Sequence, residues 1–178
     1  MRVIAGALRS RRLKSVPGMA VRPTPDRLRE ALFNVLAPRI EGAVFLDAYA
    51  GSGAVGIEAV SRGARHVIMI ERNAKALEVL RENLRLLGID DDVTVVRGSA
   101  AVLLPNYKAD IAFIDPPYDQ TQEYAGSLAA LSRSGCGLAI AQHHSRLSLA
   151  GRYEELEKTR VLKQGDNSLS FYELSARE

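Results

Sequence analysis

Short, nearly continuous apolar runs at Val44 to Ala48, His66 to Glu71, Val93 to Arg97, Ala109 to Ile114 and Gly137 to Ala141 suit strands buried on both faces. Between them the apolar residues recur at helical spacing, in Ala54 to Arg62, Asn73 to Leu87 and Glu123 to Ser132. Leu77, Leu80, Leu84 and Leu87 share one face of the second helix, and Gly63 and Gly88 close the first two. Strands separated by helices predict an α/β fold whose mostly parallel sheet is covered on both sides.

The two ends break the alternation. Met1 to Val16 mixes Val3-Ile4-Ala5 with basic residues and Gly6, which reads as a strand or β-hairpin ended by Pro17-Gly18. Pro23 and Pro25 then hold the chain extended. Thr24 or Asp26 is placed to cap a helix carrying Leu28, Ala31, Leu32, Val35 and Leu36, which should stop near Pro38. At the other end, Leu156 to Lys163 and Ser168 to Leu174 flank Gln164-Gly165-Asp166-Asn167, a hairpin signal that adds an antiparallel pair at one sheet edge. The chain divides into a basic arm, 1–22, and a main domain, 23–178.

With 47% hydrophobic and 25% charged residues, disorder, collagen and coiled coil are excluded. No apolar run approaches the ~20 residues of a membrane helix, so a soluble, unexported, cytoplasmic protein is expected, with no membrane partner. The single Cys136 has no partner for an internal disulfide, and three scattered histidines lack zinc-ligand spacing, so no metal is expected. Charge is uneven. Arg2, Arg9, Arg11, Arg12, Lys14 and Arg22 give residues 1–25 a charge of +6 with no acid, while the whole chain is only +3. Such an arm suits the phosphates of a nucleic acid, or else a solvated strand edge.

Two constellations carry chemistry. Asp47 leads into Gly51-Ser52-Gly53 and Gly56, between a strand and a helix, and Glu71 ends the next strand 20 residues after Gly51. This is a nucleoside-cofactor signal: glycines admit a ligand, and the second acid accepts from ribose hydroxyls. A carboxylate at Asp47 would repel a pyrophosphate but hold a cationic amino-acid moiety, which favours S-adenosyl-L-methionine over NAD. Otherwise Asp47 merely braces the turn. The second constellation, Asp115-Pro116-Pro117-Tyr118, follows the fourth strand and should lie beside the glycine loop. Two prolines remove two backbone donors and leave a stiff turn rich in acceptors, suited to an exocyclic base amine, with Tyr118 to stack on the base.

These motifs resemble the amino methyltransferases of nucleic-acid bases. Arg2-Val3-Ile4-Ala5-Gly6 with Arg9, Arg22-Pro23-Thr24 with Asp26-Arg27-Leu28-Arg29-Glu30-Ala31-Leu32-Phe33-Asn34, and Glu58-Ala59-Val60-Ser61-Arg62-Gly63 resemble, more narrowly, the bacterial RsmD family of 16S rRNA guanine-N2 methyltransferases. The resemblance spans nearly the whole chain, weakly from Gln120 onward. It implies a Rossmann-like class I methyltransferase fold with a seven-stranded sheet and a small N-terminal hairpin. It also implies S-adenosyl-L-methionine as cofactor and the small ribosomal subunit as partner of a monomer. On this sequence Thr24, Arg27, Asp47, Gly51, Ser52, Gly53, Glu71, Arg72, Asn73, Gly98, Ser99 and Ala100 would meet the cofactor. Asp115, Pro116, Pro117 and Tyr118 would form the base site, and the six basic residues of the arm would meet RNA. Ser99-Ala100 offers no acid or amide for the adenine, and Gln142-His143-His144 stands after the fifth strand where an acidic pair is expected.

Other residues read as structural. Cys136 belongs to an apolar core strand, adjacent His143 and His144 would point to opposite faces, and Tyr49 suits core or cofactor wall equally. Three rivals stay open: a DNA adenine-N6 or cytosine-N4 methyltransferase, which would want a further recognition domain; an NAD-dependent oxidoreductase, which leaves Asp47 and the Pro-Pro turn idle; and a non-catalytic rRNA-binding protein.

Overall fold

The computed structural model describes residues 1–18 and 24–176. Its centre is an eight-stranded mixed sheet. Strands β1 (Val44–Asp47), β2 (His66–Glu71), β3 (Val93–Arg97), β4 (Ile111–Ile114) and β5 (Leu138–His144) run parallel in the order β3-β2-β1-β4-β5. Beyond β5 come β8 (Asn167–Leu174), β7 (Leu156–Gln164) and β6 (Arg152–Tyr153), all antiparallel. One strand more than the expected seven is present, because Arg152–Tyr153 adds a two-residue edge strand too short to leave a periodic signal.

The helices are α1 (Asp26–Ile40), α2 (Ala54–Ser61), α3 (Ala74–Leu87), α4 (Ala100–Leu103) and α5 (Glu123–Arg133). The sheet's pleat sends alternate residues to two cores. Phe45, Met69, Phe113 and Ile140 join Leu32, Phe33, Leu36, Ile57 and Leu80 on one face. Leu46, Ile70, Ile114 and Ala141 join Leu128, Leu131 and Leu104 on the other. Burial on both faces is why β1, β2, β4 and β5 read as continuous apolar runs, whereas β3, at the sheet edge, is half-buried with Thr94 and Arg97 exposed.

Several expectations are corrected. Helix α1 runs through Pro38 to Ile40. A proline in the last turn removes one helical bond only, and Ile40, 3% exposed, is anchored in the core. Neither Thr24 nor Asp26 caps it: the Pro25 carbonyl accepts from Leu28 and Arg29, and the Asp26 carboxylate pairs with Arg29 at 3.0 Å. Cys136 is buried in the connection before β5 rather than in a strand, its thiol pushed up to about 12 by burial. Gln142, His143 and His144 belong to β5, which β8 pairs as far as His144.

The N-terminal hairpin is held by one antiparallel bridge, Arg2 to Arg12, and by bonds to the helices beneath it. The fully buried Glu58 of α2 accepts the Ile4 and Ala5 N–H groups at 2.9 and 3.0 Å. Ser61 accepts Leu8 N–H at 2.9 Å, and a Cβ on Gly6 would fall 1.9 Å from the Ser61 carbonyl oxygen. Val3 and Leu13 enter the core, leaving Arg2, Arg9, Arg11, Arg12 and Lys14 exposed. Arg22 lies outside the described residues.

Candidate functional site

The chain leaves β1 toward β2 on one side and β4 toward β5 on the other, so the carboxyl ends of β1 and β4 flank a topological switch, where open α/β sheets bind ligands. A cavity of about 410 Å³ lies there. Ala48, Tyr49 and Gly51 follow β1, Glu71, Arg72 and Asn73 close β2, and Gly98 and Ala100 follow β3. Asp115, Pro116, Pro117, Tyr118 and Asp119 come from the turn after β4. The structure thus brings both sequence constellations to one cavity.

Six of the expected cofactor residues line it: Gly51, Glu71, Arg72, Asn73, Gly98 and Ala100. Thr24, buried ahead of α1, and the exposed Arg27 stand off it, as do Ser52, Gly53 and Ser99. Asp47 lies beneath, just before Ala48 and Tyr49.

The glycines have distinct reasons. Gly51 turns with φ +57° at the cavity rim, with open space where a Cβ would go. Gly53 has φ +91° and sits under α3, where a Cβ would fall 2.3 Å from Leu80 Cδ1, and one on Gly56 would fall 2.4 Å from Met69 Cε. At Gly53 the left-handed backbone itself favours glycine, whereas both close approaches are to the ends of flexible side chains that can shift.

Glu71 fixes the rim. Its Oε2 accepts the Gly51 N–H and its Oε1 the Asn73 N–H, both at 2.8 Å. Asn73 in turn caps α3 through the Ala76 N–H at 3.0 Å. Arg72 reaches across the cavity mouth to Glu123 at 3.3 Å and to Gln120. Tyr49 donates to or accepts from Ser127 at 2.7 Å, and burial raises its phenol.

Asp47 and Asp115 are the chemically distinctive pair. Burial pushes each carboxyl up to about 7, and each sits where a second carboxylate adds to the shift, Glu71 for Asp47 and Asp47 for Asp115. The Asp47 Oδ2 accepts the Gly56 N–H at 3.2 Å, whereas its Oδ1 is buried without a partner. Tyr118, by contrast, is 60% exposed beside the turn.

Reading the sequence missed Glu123, Asp119 and Ile70 at the cavity, and Asn83 behind it. Asn83 is 1% exposed on α3; it accepts Lys14 N–H at 2.8 Å and donates to the carbonyls of Lys14 and Ser52 at 3.0 and 2.9 Å. It therefore joins the basic arm to the glycine turn. A polar residue interrupting the apolar face of α3 was its only signal.

The family model described as "Conserved hypothetical protein 95" matches residues 1–173. The chain belongs to this family. It is the RsmD family that the motifs resemble. The chain is 34% identical over 181 residues to "Putative rRNA methyltransferase YlbH" of Bacillus subtilis (strain 168), covering 97% of this chain and 98% of that protein. It is 41% identical over 120 residues to "Ribosomal RNA small subunit methyltransferase D" of Escherichia coli (strain K12), covering 66% of this chain and 60% of that one. The solved structure "Putative methyltransferase yhhF from Escherichia coli" superposes with a TM-score of 0.86 at 32% identity, with 99% of each chain covered. This RsmD-family chain therefore has the methyltransferase fold expected for it.

Proposed function

We propose that this RsmD-family protein transfers a methyl group from S-adenosyl-L-methionine to the exocyclic N2 of a guanine in 16S rRNA of the small ribosomal subunit, acting as a cytoplasmic monomer. The observation that carries the reading is the meeting of the rigid Asp115-Pro116-Pro117-Tyr118 turn with the Glu71-braced glycine turn across one cavity. The names of the aligned relatives supply the substrate class.

The residues present fit the cofactor. Its ammonium group needs a counter-charge, and Asp47 offers a buried carboxylate oxygen that no protein donor satisfies. Its ribose needs acceptors, and Glu71 is oriented by two backbone N–H groups with lone pairs remaining. When bound, the cofactor supplies a sulfonium methyl already activated for displacement.

The chain's own work is alignment. Asp115 accepts a hydrogen bond from the attacking amine and turns its lone pair toward the cavity, while offsetting the positive charge that develops on nitrogen until the amine releases one proton to water. Pro116 and Pro117 keep the turn stiff and present no competing N–H. Tyr118 offers its ring to the base, and the arm's arginines meet rRNA phosphates, which hold register without reading sequence. The direct test is transfer of radiolabelled methyl to small subunits that lack their own modification, followed by nucleoside analysis and mapping. N2-methylguanosine is expected. Label in methyladenosine or methylcytidine would overturn the base assignment, and absence of label the enzymatic one.

A further inference from the structure

Across the Asp-Pro-Pro-Tyr turn lies a second, small cavity of about 30 Å³ to which the proposed function above gives no occupant. Asp115, Pro116 and Tyr118 border both cavities and so form the wall between them. Behind that wall are Pro25, Tyr124 and Gln142. Gln142 is 7% exposed, and its backbone carbonyl accepts the Tyr124 hydroxyl at 2.6 Å, which fixes the strand there. Its side-chain Oε1 is shut off from solvent and has no hydrogen-bond partner. The neighbouring His143 has both ring nitrogens engaged, with Ser170 at 2.8 Å and the His144 carbonyl at 2.9 Å. An unpaired buried amide oxygen destabilises a fold, so one retained beside a cavity at the methyl-acceptor turn calls for a donor that arrives with a ligand.

We propose that Gln142 reads the acceptor base, its Oε1 accepting the guanine N1–H and its Nε2 donating to O6 while Asp115 holds N2. The assignment rests on the guanine-N2 function and deepens it. Beside its exocyclic amine guanine presents a donor and then an acceptor. A carboxamide presents the complementary acceptor and donor at the same spacing. Adenine N1 and cytosine N3, the ring atoms beside their amines, are bare acceptors and would face Oε1 with repulsion. A space of 30 Å³ holds little more than a water molecule, so only the edge of the base enters it while the ring lies against Tyr118.

The test is a cycle between protein and base. Small subunits are reconstituted with 16S rRNA carrying guanine, 2-aminopurine or adenine at the mapped acceptor position. 2-Aminopurine keeps the N2 amine but lacks N1–H and O6. Wild type, Gln142→Leu and Gln142→Met are compared for kcat/KM, S-adenosylhomocysteine affinity and thermal midpoint. Wild type should lose on the order of 10- to 100-fold on 2-aminopurine. Each variant should lose a similar factor on guanine and only a few-fold more on 2-aminopurine, with cofactor affinity unchanged and the midpoint no lower. The methionine variant, close in size, keeps the comparison valid if the leucine variant packs badly. Variants that retain full guanine activity, that show the undiminished 2-aminopurine penalty, or a wild type that methylates adenine equally well, overturn the assignment. A wild type that makes no N2-methylguanosine on unsubstituted subunits overturns the proposed function itself and this assignment with it, and that control separates the two failures.

Discussion

One carboxylate, Glu71, holds the backbone N–H of Gly51 at 2.8 Å from 20 residues away, and so ties the glycine turn after β1 to the end of β2. Its other oxygen holds Asn73, the residue that starts α3. The cofactor rim is thus preorganised by the same group that would meet the ribose.

Glu71→Ala removes two charge-assisted bonds, each worth about 1.5–3 kcal/mol. The expected result is at least tenfold weaker S-adenosylhomocysteine binding by calorimetry, together with a lower thermal midpoint. Unchanged affinity would detach Glu71 from the cofactor.

Asp115→Ala should cut methyl transfer by roughly 10²- to 10³-fold, the loss typical of removing one preorganised electrostatic partner, while cofactor affinity stays within a few-fold. Collapse of cofactor binding in a folded variant would assign Asp115 to the wrong partner.

The carboxyls of Asp47 and Asp115 also set a pH dependence. Both are raised by burial from 3.8 to about 7, so between those values the folded protein keeps protons that the unfolded chain releases. Their contribution to stability is therefore full below pH 4 and lost as pH rises to 7, flat beyond that. Thermal midpoints of the ligand-free protein should fall across pH 5 to 7, and less steeply in Asp47→Asn and Asp115→Asn. Affinity for S-adenosylhomocysteine, whose ammonium favours ionised Asp47, should rise over the same range in wild type and stay level in Asp47→Asn.

Glu58 is 0% exposed and satisfies Ile4 N–H, Ala5 N–H and the Arg62 guanidinium at 2.9 to 3.0 Å. Glu58→Ala leaves these three half-buried donors without their acceptor, a loss of about 3 kcal/mol, or a midpoint lower by roughly 10 °C. Scanning calorimetry checks this, and amide exchange should show the opening concentrated in residues 3–8.

Reversing Arg9, Arg11 and Arg12 to Glu should weaken binding to small subunits and lower its salt slope by about 0.7–0.9 for each phosphate no longer neutralised, with cofactor affinity unaffected. An unchanged slope would leave the exposed arm as a solvated surface.

By itself the sequence determined the parallel core and the placement of both motifs. The strand His66–Glu71 is bounded correctly because a strand covered on both faces must be apolar in its interior, and Asn73 and Gly88 mark the ends of α3 through local backbone chemistry. The topological switch rule then carried Asp115 to the side of Gly51. Tertiary structure decided what depends on partners distant in the chain. The extension of β5 to His144 is set by the β8 ladder, and the arm's position by Glu58 and Asn83. The unpaired oxygen of Gln142 belongs with these, since burial and a missing donor are properties of the assembled neighbours and leave no trace in a run of residue types.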